Sequence, residues 1–232
     1  MSVRIVEGET RLINLHTRMP FKYGIATMTD VPYAFLRLAV EIDGTIYEGY
    51  SADNLPPKWF TKIPEAPLGG EMAEMLRVIE HARETAIGLQ ANSPFDLWLD
   101  LYETQSAWGD SENLAPLLSG FGTSMVERAL IEAACRAANK PFAAAVRDQD
   151  LGIAMAAIQI QLSTTKPHEW LPGQPLQSII ARHTVGLADP LTPADIPADE
   201  AVADQLPQAL TDCITTYGLR PVSYTHLTLP TS

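Results

Sequence analysis

Phe35-Leu36-Arg37-Leu38-Ala39-Val40-Glu41-Ile42-Asp43-Gly44-Thr45-Ile46-Tyr47-Glu48 is the stretch on which the fold turns. In an extended chain Leu36, Leu38, Val40 and Ile42 share one face, while Phe35, Arg37, Ala39 and Glu41 take the other. A period of two with charge on one side is a half-buried strand. Asp43-Gly44 supplies the positive φ angles of a tight turn and Thr45 to Glu48 returns, so the segment predicts a β-hairpin. Upstream, Val3 to Leu15 is rich in β-branched residues and predicts a strand. Three strands therefore open the chain. Two predicted loops flank the hairpin, Met19 to Thr29 and Tyr50 to Phe60, each with aromatics, a lysine and hydroxyls around Gly or Pro.

Helices follow. Met72, Met75, Leu76, Ile79 and Ala86 fall on one face of a helix starting near Gly70. Ser93-Pro94-Phe95-Asp96 reads as an N-cap, a proline at the first helical position and an acid in the first turn, with Leu97, Trp98, Leu101 and Tyr102 as the apolar side. Ser124 with Glu127 forms a capping-box pattern, which predicts a third helix starting there and stopped by Asn139-Lys140-Pro141. Its alanines at helical spacing imply close approach to a neighbour. Ser119-Gly120-Phe121-Gly122-Thr123 reads as the turn before it.

Pro167, Pro172 and Pro175 then punctuate a connection, after which Ser178 to Gly186 predicts a strand. Val202, Leu206, Leu210, Cys213, Ile214 and Tyr217 form a helical pattern in which Pro207 imposes a kink or a late start. Strand, helix and an expected second strand make the opening of a βαβ unit.

Composition limits the function. Sixteen Lys and Arg against 28 Asp and Glu leave a formal charge of −12, which repels phosphate backbones and anionic lipid, so nucleic-acid and membrane-surface binding are disfavoured. No run approaches the roughly 20 apolar residues that span a bilayer, and the N-terminus lacks a signal-peptide core. A cytoplasmic protein is expected. Cys135 and Cys213 lie far apart without a partner motif and read as small buried apolar groups, with a disulfide between them as the alternative.

The order of elements resembles the N-terminal capping domain of the enolase superfamily, in its mandelate racemase and muconate-lactonizing branch. Pro20-Phe21-Lys22-Tyr23-Gly24-Ile25-Ala26, the hairpin from Pro32 to Tyr50, and Leu55-Pro56-Pro57-Lys58-Trp59-Phe60-Thr61-Lys62 carry the likeness. So do Glu127 to Ala134 through Asn139-Lys140-Pro141-Phe142, His183-Thr184-Val185-Gly186 and Tyr217-Gly218-Leu219. The resemblance implies an α+β capping domain over residues 1–165, a three-stranded antiparallel sheet followed by helices. Residues 166–220 would then hold the first βα unit of a truncated (β/α)8 barrel, which takes about 250 residues when whole. It also implies Mg2+-dependent abstraction of a proton α to a carboxylate, in a dehydratase, racemase, epimerase or cycloisomerase, with an acid sugar or similar small carboxylate as substrate and a homo-oligomeric complete enzyme. Metal charge placed against the developing enediolate is what makes so weak a carbon acid reactive. In the family the cap loops close over the barrel mouth and choose the substrate. Phe21, Tyr23 and Trp59 would wall the pocket, Lys22 and Lys58 would meet a carboxylate, and Thr27 and Ser51 would donate hydrogen bonds. Equally, the aromatics pack a seam and the lysines are solvated.

The metal ligands and the base of that family have no counterparts in this sequence, so no Mg2+ is expected to bind these residues and the chain alone is expected to be inactive. The stretch 221–232, Pro221-Val222-Ser223-Tyr224-Thr225-His226-Leu227-Thr228-Leu229-Pro230-Thr231-Ser232, holds no Lys, Arg, Asp or Glu. It reads as foreign, adapter-derived sequence, or else as a strand-like terminus without charge. On the foreign reading the strand at Ser178 to Val185 has no parallel partner. His183 reads as a hydrogen-bonded core histidine more readily than a catalytic one. The pairs Asp96/Asp100 and Glu80/Glu84 read as solvated helix faces rather than chelates. A free-standing α+β ligand-binding or interaction module without catalysis remains the rival reading, and a catalytically dead subunit of a larger assembly a third.

Overall fold

The computed structural model describes residues 1–23, 26–60, 68–220 and 222–224. They form two compact units, Met1–Ile13 with Pro32–Pro175, and Asn14–Val31 with Leu176–Ser232. Three long strands begin the chain: β1 (Val3–Tyr23), β2 (Ala26–Ile42) and β3 (Thr45–Asn54). Helix α1 (Leu68–Ala86) is followed by a two-residue strand β4 (Gln90–Ala91), then α2 (Pro94–Ser111), α3 (Pro116–Ala138) and α4 (Phe142–Arg147). Two single-turn helices, α5 (Met155–Ile158) and α6 (Pro167–Trp170), complete the first unit. In the second, β5 (His183–Val185), α7 (Leu210–Tyr217) and β6 (Val222–Tyr224) follow in order.

The hairpin stands as the sequence predicts. Ile42 pairs with Thr45 across a two-residue turn in which Asp43 and Gly44 have φ of 49° and 83°. Leu36, Leu38 and Val40 are fully buried, whereas Arg37 on the opposite face spans three strands, bonding Glu7 of β1 and Glu48 of β3. The sheet has four strands in the order β3-β2-β1-β4, because Val3 and Arg4 pair with Ala91 and Gln90. That corrects the three-stranded expectation: β4 is too short to leave a periodic signal. The expected loop at Met19 to Thr29 is also corrected, since Met19–Tyr23 and Ala26–Thr29 continue β1 and β2. Gly24 and Ile25 lie outside the described residues.

Helix α2 is capped as expected, with the Asp96 amide donating to Ser93 Oγ at 3.0 Å. Helix α3 is not. It starts at Pro116, two turns before Ser124, whose hydroxyl donates to the Phe121 carbonyl at 3.0 Å instead of capping anything. Both glycines that suggested a turn are helical, and packing requires one of them: a Cβ on Gly122 would lie 2.0 Å from the Val78 carbonyl oxygen of α1. On its other side α3 meets β3, where a Cβ on Gly49 would lie 1.9 Å from the Ala129 carbonyl oxygen. The core of this unit, including Ile5, Leu36, Leu38, Met75, Ile79, Leu97, Leu101, Met125 and Leu130, fills the space between sheet and helices. Full burial of each such side chain contributes roughly 1.5–3 kcal/mol before entropy is counted.

In the second unit the strand is shorter than predicted. Residues 178–182 are irregular, and Ile179 and Ile180 are 85% and 78% exposed. Helix α7 takes the late start that Pro207 imposes. A further correction concerns β5, expected to lack a parallel partner. It pairs in parallel with β6, His183 opposite Val222 and Val185 opposite Tyr224. Residues 221 and 225–232 lie outside the described residues.

Two glycines on α3 are expected to respond with opposite sign. Gly122→Ala forces a methyl group into backbone and should lower unfolding free energy by about 3 kcal/mol. Gly120→Ala points into open space and should raise it by up to about 1 kcal/mol, both read from urea denaturation.

Candidate functional site

The seven residues singled out for substrate contact divide between the units, and each set is described in its own unit. In the first, Ser51 lies on β3 and is buried, its Oγ donating to the Met125 carbonyl of α3 at 2.7 Å. That bond ties strand to helix. Lys58 sits in the turn after β3 with φ of 61°. The carboxylate of Glu71, in the first turn of α1, reaches it twice: the Lys58 amide donates to Oε2 at 2.7 Å and Nζ lies 3.3 Å from Oε1. Both side chains are only 7% exposed, so this is a buried pair rather than a solvated lysine. Trp59 beside it is 59% exposed. Lys58, Trp59, Phe60 and Glu71 border a recess of about 10 Å³, room for no more than a water.

In the second unit Phe21 is half-buried, and a Cβ on Gly186 would come within 3.1 Å of its ring. Lys22 and Thr27 have exposed side chains. The Lys22 carbonyl accepts from the Leu187 amide at 3.0 Å, which fixes this end of β1 beside the residues that leave β5. The Gly186 amide donates to Asp189 Oδ2 at 2.7 Å, shaping the same turn. Tyr23 is described in its backbone only, as the last residue of β1. Phe21 and Lys22 are thus brought to the C-terminal end of β5, while His183 at its start is half-buried.

Arg18 anchors this unit. Its guanidinium donates to both Asp204 oxygens, with Nη2–Oδ1 at 2.8 Å, and to the carbonyls of Leu206 and Pro207 at 2.9 Å. The Arg18 hydrogen bond, aided by the Leu206 amide, holds the Asp204 carboxyl down at about 2. Val185, Ala209, Leu210 and Cys213 are buried in the same unit. Cys135 and Cys213 are free thiols, and burial pushes both pKa values up, which keeps them protonated and unreactive.

Sequence reading missed three features. Glu71 gave one signal, an acid in the first turn of a helix downstream of a proline-flanked lysine. His81 forms a polar cluster, its Nδ1 2.6 Å from Gln105 Oε1 and its ring stacked on Trp108 at 3.7 Å. Glu127, assigned to a cap, faces an apolar cleft between α2, α3 and α4. Of the acid pairs at helical spacing, Glu80 and Glu84 both bond Arg83.

Among the described residues no group of three or more His, Cys, Asp or Glu side chains is placed to hold a metal ion. The residues described thus offer no such group to the magnesium that the resemblance implies. Among them, too, no helix is long and apolar enough to cross a membrane.

An antiparallel sheet backed by helices, compatible with a capping domain, is the class of structure this is, and a solved enolase shares its fold. An enolase from Streptomyces coelicolor superimposes with a TM-score of 0.57 at 15% identity, over 96% of this chain and 45% of that one. A dipeptide epimerase from Enterococcus faecalis, complexed with Mg and L-Leu-L-Tyr, gives 0.47 at 17% identity over 81% and 40%. An enolase from Bradyrhizobium, complexed with magnesium and mandelic acid, gives 0.42 at 15% over 68% and 44%. The chain thus spans less than half the length of these structures, and at such identities the kinship is one of fold. No family model and no curated protein matches the chain.

Two outcomes are expected. Glu71→Gln removes the carboxylate held against the buried Lys58 ammonium and should cost about 3 kcal/mol in urea denaturation, whereas Glu9→Gln, at the exposed Arg11 pair, should leave the midpoint unchanged. For Asp204 the folded pKa is depressed, so its stabilisation is complete above the unfolded value of 3.8 and lost as pH falls toward about 2. Protection factors of the α7 amides should fall over that window, and in Asp204→Asn they should be low and without that pH dependence.

Proposed function

We propose that this chain is the specificity-bearing N-terminal portion of an enolase-type enzyme that abstracts a proton α to a substrate carboxylate. Residues 1–165 act as the cap, residues 166–220 as the first βα unit of a barrel, and 221–232 as sequence foreign to it. The observation that carries the reading is the fold match along 96% of this chain but only 45% of the Streptomyces structure. The succession of β5 and α7 and the exposed Leu176, Ile179 and Ile180 support it, the latter as apolar side chains that a complete barrel would cover.

Of the two lysines offered to a carboxylate, the geometry favours Lys22. Lys58 already has Glu71 against its ammonium and would have to exchange one carboxylate for another. Lys22 is exposed beside the C-terminal end of β5, the end at which barrel enzymes carry out their chemistry. Phe21, Tyr23 and Thr27 share its segment and would select the remainder of the substrate, with Trp59 as a further wall. Ser51 and Lys58 would act by holding their elements in place. The magnesium ligands and the base lie, in this reading, in sequence beyond these residues, and the substrate is a small carboxylate such as an acid sugar.

The test is hydrogen–deuterium exchange at the α-carbon, followed by NMR with a panel of acid sugars and α-hydroxy acids. A gene product extended to full barrel length should exchange at least one of them in the presence of Mg2+, and Lys22→Ala should raise KM about ten-fold or more with a smaller effect on kcat. Turnover by the 232-residue chain alone, or no exchange by the extended product, would overturn the proposal.

A further inference from the structure

The first unit contains a cleft that the proposed function does not use. Its volume is about 310 Å³, the lower end of the range for small-molecule sites. Phe95 and Trp98 of α2 form one wall, with ring centroids 5.3 Å apart at 44°. Leu130 of α3 and Ile153 line the interior, and Phe142, 58% exposed, stands at the mouth. One charged residue lines this surface, Glu127.

That carboxylate is poorly provided for. Burial pushes its pKa up, opposed only by the nearby charge of Arg128. No described residue hydrogen-bonds or ion-pairs with it. Arg128 is committed elsewhere, donating to the Ala52 carbonyl and to Asp53 Oδ2, each at 3.1 Å. An acid on an apolar wall that also carries aromatic rings is the arrangement that attracts an organic cation. The carboxylate supplies a counter-charge strengthened by partial dehydration, and the ring faces add cation–π attraction. A neutral apolar ligand would fill the volume without relieving the acid. An anion would be repelled.

We propose that this cleft binds a small organic ammonium ion with an aromatic or branched aliphatic body, its nitrogen against Glu127 and its body between Trp98, Phe142 and Ile153. None of the lining residues belongs to the loops assigned to substrate selection, and the proposal does not depend on that assignment.

The probes are 2-phenylethylammonium and its neutral analogue 2-phenylethanol, titrated by calorimetry at neutral pH into the 232-residue chain. The ammonium should bind about ten-fold tighter or better, the increment expected of a charge-assisted hydrogen bond. Glu127→Gln should abolish that preference while leaving the affinity for the alcohol unchanged. Trp98→Ala should weaken both ligands. Equal affinity of the unaltered chain for both probes, an ammonium preference that survives in Glu127→Gln, or no binding of either at about 10 mM overturns the proposal. The comparison of two ligands on the unaltered chain does not depend on any variant folding.

Discussion

The first unit is organised around how closely its central helix can be approached. Gly49 brings β3 onto the backbone of α3 at Ala129 and Ala133, and Gly122 brings α3 onto the Val78 carbonyl of α1. No side chain fits at either contact, so the two are rigid in a way that methyl-to-methyl packing is not. Sheet, α3 and α1 are then set at fixed spacings, and Leu38, Met125, Ile79 and Leu130 fill the volume left between them. The cost is borne by α3, which carries glycines in mid-helix and is stable because of what it touches rather than through its own propensity.

Several polar groups in this interior complete that framework, whereas the Thr123 hydroxyl is buried without a hydrogen-bond partner among the described residues. Ser51 joins β3 to α3, and Gln105 of α2 donates to the Val78 and Ser119 carbonyls while accepting against His81, so that it joins three helices. The Lys58–Glu71 pair fastens the turn after β3 to the start of α1. Buried charges of this kind contribute little net stability but cost several kcal/mol to break, and their effect is to restrict the backbone to one arrangement. Glu127 departs from the pattern, because its surroundings are apolar and its nearest cation faces Asp53.

The second unit rests on a different principle. Its apolar interior is small, and much of its order comes from Arg18, which gathers Asp204 and the carbonyls of Leu206 and Pro207. A guanidinium suits the task because its five donors lie in one plane and can serve several acceptors at once. The segment before α7 is thereby held although it has almost no regular structure. Phe21, Lys22 and the turn after β5 belong to this same unit, so the residues proposed to contact substrate sit on polar restraints rather than on a deep core.

Local pattern alone determined the hairpin, the Ser93 cap, the buried face of α1 and the late start of α7. Each depends on residues within one or two turns of each other, where spacing and φ preference are decisive. The order of those elements was enough to predict an antiparallel sheet followed by helices. Tertiary structure decided what depends on distant partners. Beyond Leu15 the extension of β1 has no periodic mark, because pairing with β2 supplies the stabilisation there. Whether Ser124 begins a helix or sits inside one was settled by Pro116 and by Val78 some forty residues earlier, not by the Ser-x-x-Glu spacing. The same holds for the candidate site: residue type marked Lys22 and Lys58 as equivalent, and only the position of Glu71 separated them. A side chain's charge is written in sequence, but what neutralises it is a matter of which elements the fold brings together.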